Sequence, residues 1–274
     1  MTLLTELIYN SADTLAQTGS GKEDNWIIHH IIDHDLFKFA PIQIGSFSLD
    51  LSITNKVFML IIAAVLLIII LSLAARSNRK NRIPKGFGNF VEMIMVFLRD
   101  DVVIPSMGKA GERYLPFFFT LFFFILTCNL LGLIPFLQTP TGSISITAGL
   151  AIITFVMIQA LGMKNNGVFG YWKGLLPPGM PILVIPVMVI VEFLGLLTKP
   201  FALCIRLFAN MTAGHIVVLA LIGLIFTLGY GATPVSIAFA LFIDLLEILI
   251  SLLQAYIFTI LSALFIGMAV HQEH

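Results

Sequence analysis

Six ionisable residues are concentrated in the last third of the chain, inside apolar runs. They are Glu192, Lys199, Arg206, His215, Asp244 and Glu247. Ionisable groups deep in a membrane segment cost about 2.5 to 3.5 kcal/mol each on insertion scales, and they usually face a bundle interior or a water-filled cavity. Carboxylates and imidazole can exchange protons, whereas a guanidinium stays charged. These residue types therefore predict a hydrated path for ions that contains a permanent cation.

The spacing of the first group places most of it on one helix face. Glu192, Lys199 and Arg206 recur every seven positions, so at 100° per residue they stay within about 40° of one another. Asn210 follows Arg206 by one turn. His215 would lie about 180° from Arg206 on a straight helix. We therefore expect His215 to face a different neighbour from Arg206.

A second polar stripe lies nearer the C-terminus, where Asp244, Glu247, Ser251 and Gln254 recur at i, i+3, i+7 and i+10. Two antiparallel helices with such stripes can enclose a hydrated path. Polar residues also hold membrane bundles together, and this alternative remains open for Asp244. It fits Arg206 poorly, because no acid lies one turn away on the same helix. The pattern predicts an anionic partner for Arg206 on another element or another chain.

Composition indicates that these stripes lie in a membrane protein. Of 274 residues, 58% are hydrophobic and 11% are charged, whereas soluble domains carry about a quarter charged residues. Lys plus Arg equals Asp plus Glu at 15 each, so the net charge gives no indication of a nucleic-acid partner. No internal repeat is found, which disfavours an inverted-repeat transporter.

The apolar pattern predicts an all-α membrane protein with five transmembrane helices. Runs long enough to cross a bilayer lie at roughly 56–75, 115–137, 144–163, 181–228 and 234–270. An amphipathic helix at about 86–101 is expected to lie on the membrane surface. The last two runs exceed one ordinary span, so we expect a long, tilted hairpin turning at 228–234, with bends at prolines. Residues 1–50 form an extracytoplasmic segment, and 51–274 form one membrane domain.

Basic residues predict the orientation of the spans. Lys and Arg flank the end of the first span and the start of the second, and Lys164 and Lys173 follow the third. The turns at 138–143 and 228–234 contain neither. The positive-inside rule then places the N-terminus outside and the C-terminus in the cytoplasm.

The remaining candidate sites give weaker signals. Cys128 and Cys204 fall inside apolar runs and are interpreted as small buried hydrophobes. His30 and His34, beside His29, have the i, i+4 spacing of zinc ligands, but no fourth ligand is indicated, so a solvated segment is favoured. The terminal HQEH is interpreted as a solvated tail. No phosphate-binding G-x-x-x-x-G-K-[ST] loop occurs, so we expect no nucleotide, cofactor or metal on this chain.

Three stretches carry a resemblance to a known family. LLTKPFALCIRLFANMTAGH, LEILISLLQAYIFTIL and PFFFTLFFFILTCNLLGLIP closely resemble subunit a of the F-type ATP synthase, the stator channel subunit beside the rotating c-ring. The resemblance extends over nearly every residue from about 84 onward. It implies a non-catalytic subunit of the proton-translocating two-sector ATP synthase. The implied partners are the c-ring, the peripheral-stalk subunit b, the remaining synthase subunits and the lipid bilayer, in an energy-coupling membrane such as a bacterial inner membrane.

The resemblance also implies roles for individual residues. Arg206 matches the arginine that faces the c-ring carboxylate and separates two offset half-channels, and Asn210 and Gln254 match polar residues beside it. Glu192 matches a carboxylate toward the cytoplasmic half-channel. His215 and Glu247 match the acid/base pair of the outer half-channel, in the order found in mitochondrial members rather than in several bacterial ones.

The chain departs from many bacterial members of this family at the outer turn. Ser143 and Ser145 occupy positions where an Asp and an Asn are common there, so the outer route would rely on water, these hydroxyls, Asp244, Ser251 and the last two helices. Lys199 has three alternatives: an ion pair with Glu192, a charge at a bend near Pro200, or part of the exit pocket. The adjacent proline favours the second.

Overall fold

The computed structural model describes residues 35–37, 42–44, 47–49, 53–80, 86–134, 139–174, 184–228 and 233–271. The described part is almost entirely helical, which confirms the predicted all-α membrane fold. Within the described residues, four short strands precede the first described helix: β1 (Asp35–Phe37), β2 (Ile42–Ile44), β3 (Phe47–Leu49) and β4 (Ile53–Thr54). They form two antiparallel pairs, β1 with β4 and β2 with β3. The sequence did not predict these strands, and the predicted histidine cluster at 29, 30 and 34 lies outside the described residues.

The eight α-helices contain five helical stretches that are long and apolar enough to cross a membrane, within the ranges described. The helices are α1 (Asn55–Lys80), α2 (Phe87–Phe97), α3 (Ile104–Met107), α4 (Leu115–Gly132), α5 (Ile144–Asn166), α6 (Val168–Gly174), α7 (Ile185–Leu228) and α8 (Thr233–Val270). A helix suits this environment because it satisfies its own backbone hydrogen bonds in lipid. The predicted number of spans is therefore confirmed.

Residues 87–132 differ from the prediction of a separate surface helix followed by a span at 115–137. The backbone stays helical throughout, because a π-helix (Leu98–Val103), α3 and a 3-10 helix (Gly108–Tyr114) connect α2 to α4. The charged run at 99–101 lies in the π-helix, and the left-handed backbone of Gly108 (φ 63°) ends α3. α2 ends at Phe97 and α4 at Gly132, both earlier than predicted. The location of α2 on the membrane surface stays a prediction.

The helices pack around an apolar core. Phe118, Phe122 and Ile125 from α4 are buried together with Phe258 and Ile266 from α8. By contrast, α1 is apolar on all sides and leaves many large aliphatic side chains exposed. Such a surface suits lipid, because a helix that is hydrophobic all round belongs in a protein core or a membrane. Cys128 and Cys204 are buried free cysteines, as predicted.

α7 and α8 have the unusual lengths predicted for the last two runs, 44 and 38 residues. At 1.5 Å per residue, α7 measures about 66 Å, well beyond the roughly 30 Å of a bilayer core. Pro200 lies inside α7, and its ring nitrogen cannot donate the usual helical hydrogen bond. α7 ends at Leu228 and α8 begins at Thr233, so the predicted turn lies largely outside the described residues.

Candidate functional site

The chain divides into two compact units. The larger unit comprises Lys56–Thr212 and Glu247–His274, and the smaller comprises Met1–Asn55 and Ala213–Leu246. Of the predicted site residues, His215 and Asp244 belong to the smaller unit, where both are half-buried. All the others belong to the larger unit. The predicted pairing of His215 with Glu247 therefore stays a prediction.

Two side-chain contacts fix how α7 and α8 pair in the larger unit. Asn210 Nδ2 donates a 2.9 Å hydrogen bond to Gln254 Oε1. Eleven residues earlier on α7, Lys199 Nζ lies 5.2 Å from the ring centroid of Phe265, which is eleven residues later on α8. Eleven residues advance a helix by about three turns. Both contacts therefore lie on one stripe of each helix, and these parts of the helices are antiparallel.

Arg206 lies on the same stripe of α7, one turn before Asn210, and it is exposed. Its exposed neighbours on this face include Ala202, Ile205 and Ala209, so the cation stands in a surface of small and apolar side chains. No salt bridge to Arg206 is present within the described ranges of the chain. A charged side chain on an apolar membrane surface is costly unless water or an opposite charge meets it.

The opposing stripe on α8 is buried. Glu247 is 5% exposed, Ser251 is 0% exposed and Gln254 is 2% exposed, which confirms that these three share a face turned into the protein. Ser251 Oγ and Gln254 Nε2 have no hydrogen-bond partner among the described residues. Buried polar atoms are nearly always satisfied by protein or by ordered water. These two atoms are therefore candidate partners for ordered water on the buried stripe of α8.

Two polar residues that the sequence interpretation did not select adjoin this stripe. Thr141 Oγ1 donates a 2.8 Å hydrogen bond to Asn129 Oδ1, and Asn129 Nδ2 lies 3.5 Å from the Ser251 carbonyl oxygen. Asn129 and Thr141 are both fully buried. The available signal was an asparagine within the apolar run of α4, since such residues hydrogen bond across membrane helices.

Ser143 and Ser145 lie at the start of α5. The Ser143 carbonyl oxygen accepts hydrogen bonds from the backbone and hydroxyl of Thr147, at 3.1 and 3.2 Å. Ser143 is half-buried and Ser145 is exposed on the first turn. Thr147 Oγ1 also lies 3.4 Å from Cys204 Sγ. These contacts connect the start of α5 to α7, and a role for either serine in ion movement stays a prediction.

A cavity of about 300 Å³, lined by both polar and apolar side chains, lies between the first turns of α7 and the end of α8. Glu192 and Lys199 from α7, Tyr171 from α6 and His271 after α8 contribute its polar wall. The structure thus brings Lys199 into a pocket with Glu192, although no salt bridge joins the two within the described residues. Arg206 is not part of the wall. The predicted stripe of α7 is therefore divided between two environments. Glu192 and Lys199 line the cavity, whereas Arg206 lies on an exposed face.

His271 is the first residue of the predicted solvated tail, and it is exposed as that prediction requires. The sequence did not predict its contact with Met107, whose carbonyl oxygen lies 3.1 Å from His271 Nε2. Asn166 Nδ2 donates a 2.9 Å hydrogen bond to the Ala269 carbonyl oxygen, which satisfies one of the last acceptors of α8. The end of α8 is thus attached to α3 and α5. Residues 272–274 lie outside the description.

Comparison with known proteins shows the family of this chain. The family model described as ATP synthase A chain matches residues 57–267. A protein named ATP synthase subunit a from Chloroherpeton thalassium is 50% identical over 260 residues, covering 90% of this chain and 77% of the relative. One of the same name from Myxococcus xanthus is 49% identical over 229 residues, covering 82% and 75%. The chain therefore belongs to the ATP synthase A chain family, as a multi-pass membrane subunit that serves ATP synthesis and ion transport.

Proposed function

We propose that this chain is the stationary, non-catalytic channel subunit of the synthase membrane sector, and that it carries protons to and from a carboxylate on a rotating ring of c subunits. The observation that carries the proposal is Arg206, an exposed cation with no ion-pair partner among the described residues. Its guanidinium cannot lose its proton, so it requires water or an anion from outside the described part of the chain. A ring carboxylate that passes this face of α7 meets the requirement.

The order of polar residues along the helices supports two offset half-channels. Arg206 lies fourteen residues from Glu192 along α7, or about 21 Å at 1.5 Å per residue. Glu247 lies seven residues before Gln254 on α8, whereas His271 lies seventeen residues after it. The carboxyl groups of Glu192 and Glu247 therefore lie on opposite sides of Arg206 along the paired helices. The Asn210–Gln254 bond also lies between them. Protons entering on one side would reach the other side only by travelling with the ring.

In this mechanism a proton motive force loads each ring carboxylate from the outer half-channel, formed by His215 and Glu247. Asp244, Ser251, Ser143 and Ser145 are candidates for its wall. Rotation carries the protonated carboxyl group through lipid, and release occurs toward Glu192. The Arg206 cation favours the deprotonated carboxylate and blocks direct exchange between the half-channels, as opposite charges attract.

The proposal includes the assembly around the chain. The c-ring is the rotor, the peripheral-stalk subunit b holds the chain in place, and the remaining subunits supply the nucleotide sites. From the basic residues we infer that the N-terminus lies outside and the C-terminus in the cytoplasm, and we propose that the membrane is an energy-coupling one such as a bacterial inner membrane. Lys199 would belong to the inner exit, because it lines the same cavity as Glu192.

The test uses the complete complex reconstituted in vesicles with Arg206→Ala, measuring ATP-driven acidification and passive proton leak. We expect acidification to fall to background and leak to rise. Arg99→Ala is the matched control, because Arg99 is an exposed arginine outside α7 and α8 that pairs with Glu112 at 3.0 Å. The control should pump normally.

Other outcomes identify the alternatives. Normal pumping without extra leak in Arg206→Ala would contradict the mechanism and favour a structural role. Proton flux through the purified chain without the ring would favour a stand-alone channel.

A further inference from the structure

The cavity at the end of α8 contains an imidazole that the proposed mechanism does not use. His271 lines this cavity together with Glu192, Lys199 and Tyr171. A water molecule takes about 30 Å³ in the liquid, so about 300 Å³ holds several. The cavity is thus large enough for a chain of waters between the Glu192 carboxyl group and the imidazole.

The contact with Met107 determines which ring nitrogen can exchange protons. A carbonyl oxygen only accepts hydrogen bonds, so Nε2 must carry a hydrogen in its 3.1 Å contact with Met107. The neutral ring then has its lone pair on Nδ1. Nδ1 can take up a proton to form imidazolium and release the same proton again, while Nε2–H stays on Met107.

Other contacts hold this arrangement in place. Asn166 is bonded to the Ala269 carbonyl oxygen, and Gly267 packs so closely on the Ser106 backbone that no side chain fits between them. His271 therefore follows a helix end that is fixed on two sides. A solvated tail would need neither contact.

The other groups at the cavity leave the relay role to His271. Burial raises the pKa of the Tyr171 phenol, and a hydrogen bond with Gln159 only partly offsets this effect, so the phenol stays protonated near neutral pH. Lys199 is held over the Phe265 ring. The ionisable groups that α7 contributes to the cavity are Glu192 and Lys199. On the other side, α3 contributes the Met107 carbonyl that contacts His271, and Lys109 follows two residues later in sequence.

We propose that His271 is a proton-relaying residue at the inner mouth, which passes protons between water in the Glu192 cavity and the inner aqueous phase through Nδ1. This role rests on the proposed function and adds a residue to its exit. The step involves no electron transfer. A proton leaving Glu192 binds Nδ1 through water, and the imidazolium loses that proton to bulk water or to a buffer base. During ATP-driven pumping the two steps run in reverse.

The experiment compares His271→Gln and His271→Ala in the complete complex, in vesicles whose inner mouth faces the medium. Glutamine places an amide N–H where Nε2–H was, so it keeps the bond to Met107 but cannot titrate. We expect ATP-driven pumping to slow about five-fold in both variants at low buffer, a modest loss because water offers a bypass. Imidazole buffer added to the medium should restore the rate in both and leave the parent rate unchanged. His274→Gln controls for loss of an imidazole near the chain end.

Three results would overturn the relay. Parent rates for His271→Gln at low buffer would show that no titrating group is needed. Slow variants that imidazole does not rescue would show that the residue only holds α8. A His274→Gln variant with the same buffer-dependent loss would remove the assignment to His271. Each is distinct from failure of the proposed function, which would appear as normal coupling in Arg206→Ala.

Discussion

Asn210 and Gln254 are joined by a 2.9 Å hydrogen bond between the two longest helices. The donor residue is exposed, and the acceptor residue is 2% exposed. The bond thus runs from the face that carries Arg206 into the buried stripe of α8. Because Asn210 is one turn from Arg206, this bond holds α8 at the level of the cation.

We predict that Asn210→Ala and Gln254→Ala are non-additive. Each single change removes the same bond, so the double variant should pump no more slowly than the worse single variant. The coupling free energy should be about 1 kcal/mol, within the range for residues in direct contact. The measurement is the rate of ATP-driven acidification in all four complexes.

A control cycle pairs Asn210→Ala with Thr259→Ser. Thr259 is buried on α8, and its hydroxyl donates to the Ala255 carbonyl oxygen on its own helix. Since serine keeps that hydroxyl, this pair should be additive. Additivity of the Asn210 and Gln254 changes would contradict a functional role for their bond.

Glu247→Gln should abolish pumping without preventing assembly. Glutamine keeps the shape and polarity of this buried side chain, which is 5% exposed, but cannot exchange a proton. We expect ATP-driven acidification and passive proton conduction to fall at least about a hundred-fold, the lower range for loss of an acid/base group. Glu92→Gln, at an exposed carboxyl of α2, is the control and should leave both rates unchanged. Normal pumping by Glu247→Gln would argue against the outer half-channel.

The spans and the two polar stripes could be predicted because each depends on local sequence. Apolar length determines where a helix can cross a membrane, and helical spacing determines that Glu247, Ser251 and Gln254 share a face. The pairing register was not predictable, since Asn210 and Gln254 are 44 positions apart. Only three-dimensional packing determines which polar side chains on two helices meet.

The continuous helix through 98–114 was missed for a related reason. The charged run from Arg99 to Asp101 and the glycine at 108 are features that usually indicate the end of a helix. The backbone instead continues through π and 3-10 turns while Leu98, Val102 and Met107 are fully buried. Tertiary packing overrides local preference here, as it commonly does for helix propensity. The fixed position of His271 was invisible for the same reason, because Met107 is 164 residues away.

Asn129 and Thr141 should behave as a buried pair in stability measurements. Asn129→Leu leaves the Thr141 hydroxyl without its acceptor, and Thr141→Val leaves the amide without its donor. We expect each single variant to lose about 1 to 3 kcal/mol of stability, the cost of an unsatisfied buried group. The double variant should recover much of this loss, because replacing both partners removes the unsatisfied atoms. Thermal inactivation of the purified complex measures the effect, and simple addition of the two losses would contradict the pairing.

Gly267→Ala should disturb the end of α8 far more than the same change elsewhere. A Cβ on Gly267 would overlap the Ser106 carbonyl oxygen and lie 2.9 Å from its carbon. Because these are backbone atoms, the helices must separate, and we expect an overpacking cost of about 1 to 3 kcal/mol. The yield and thermal resistance of the assembled complex measure it.

Gly195→Ala on α7 is the matched control for this substitution. Nothing lies within 4 Å of a Cβ at that position, and alanine favours a helix over glycine by about 1 kcal/mol. The control should therefore be neutral or slightly stabilising. If both variants behaved alike, α8 would not pack on α3 at Ser106. The attachment that holds His271 over Met107 would then lose its structural basis, even if Arg206 remained essential.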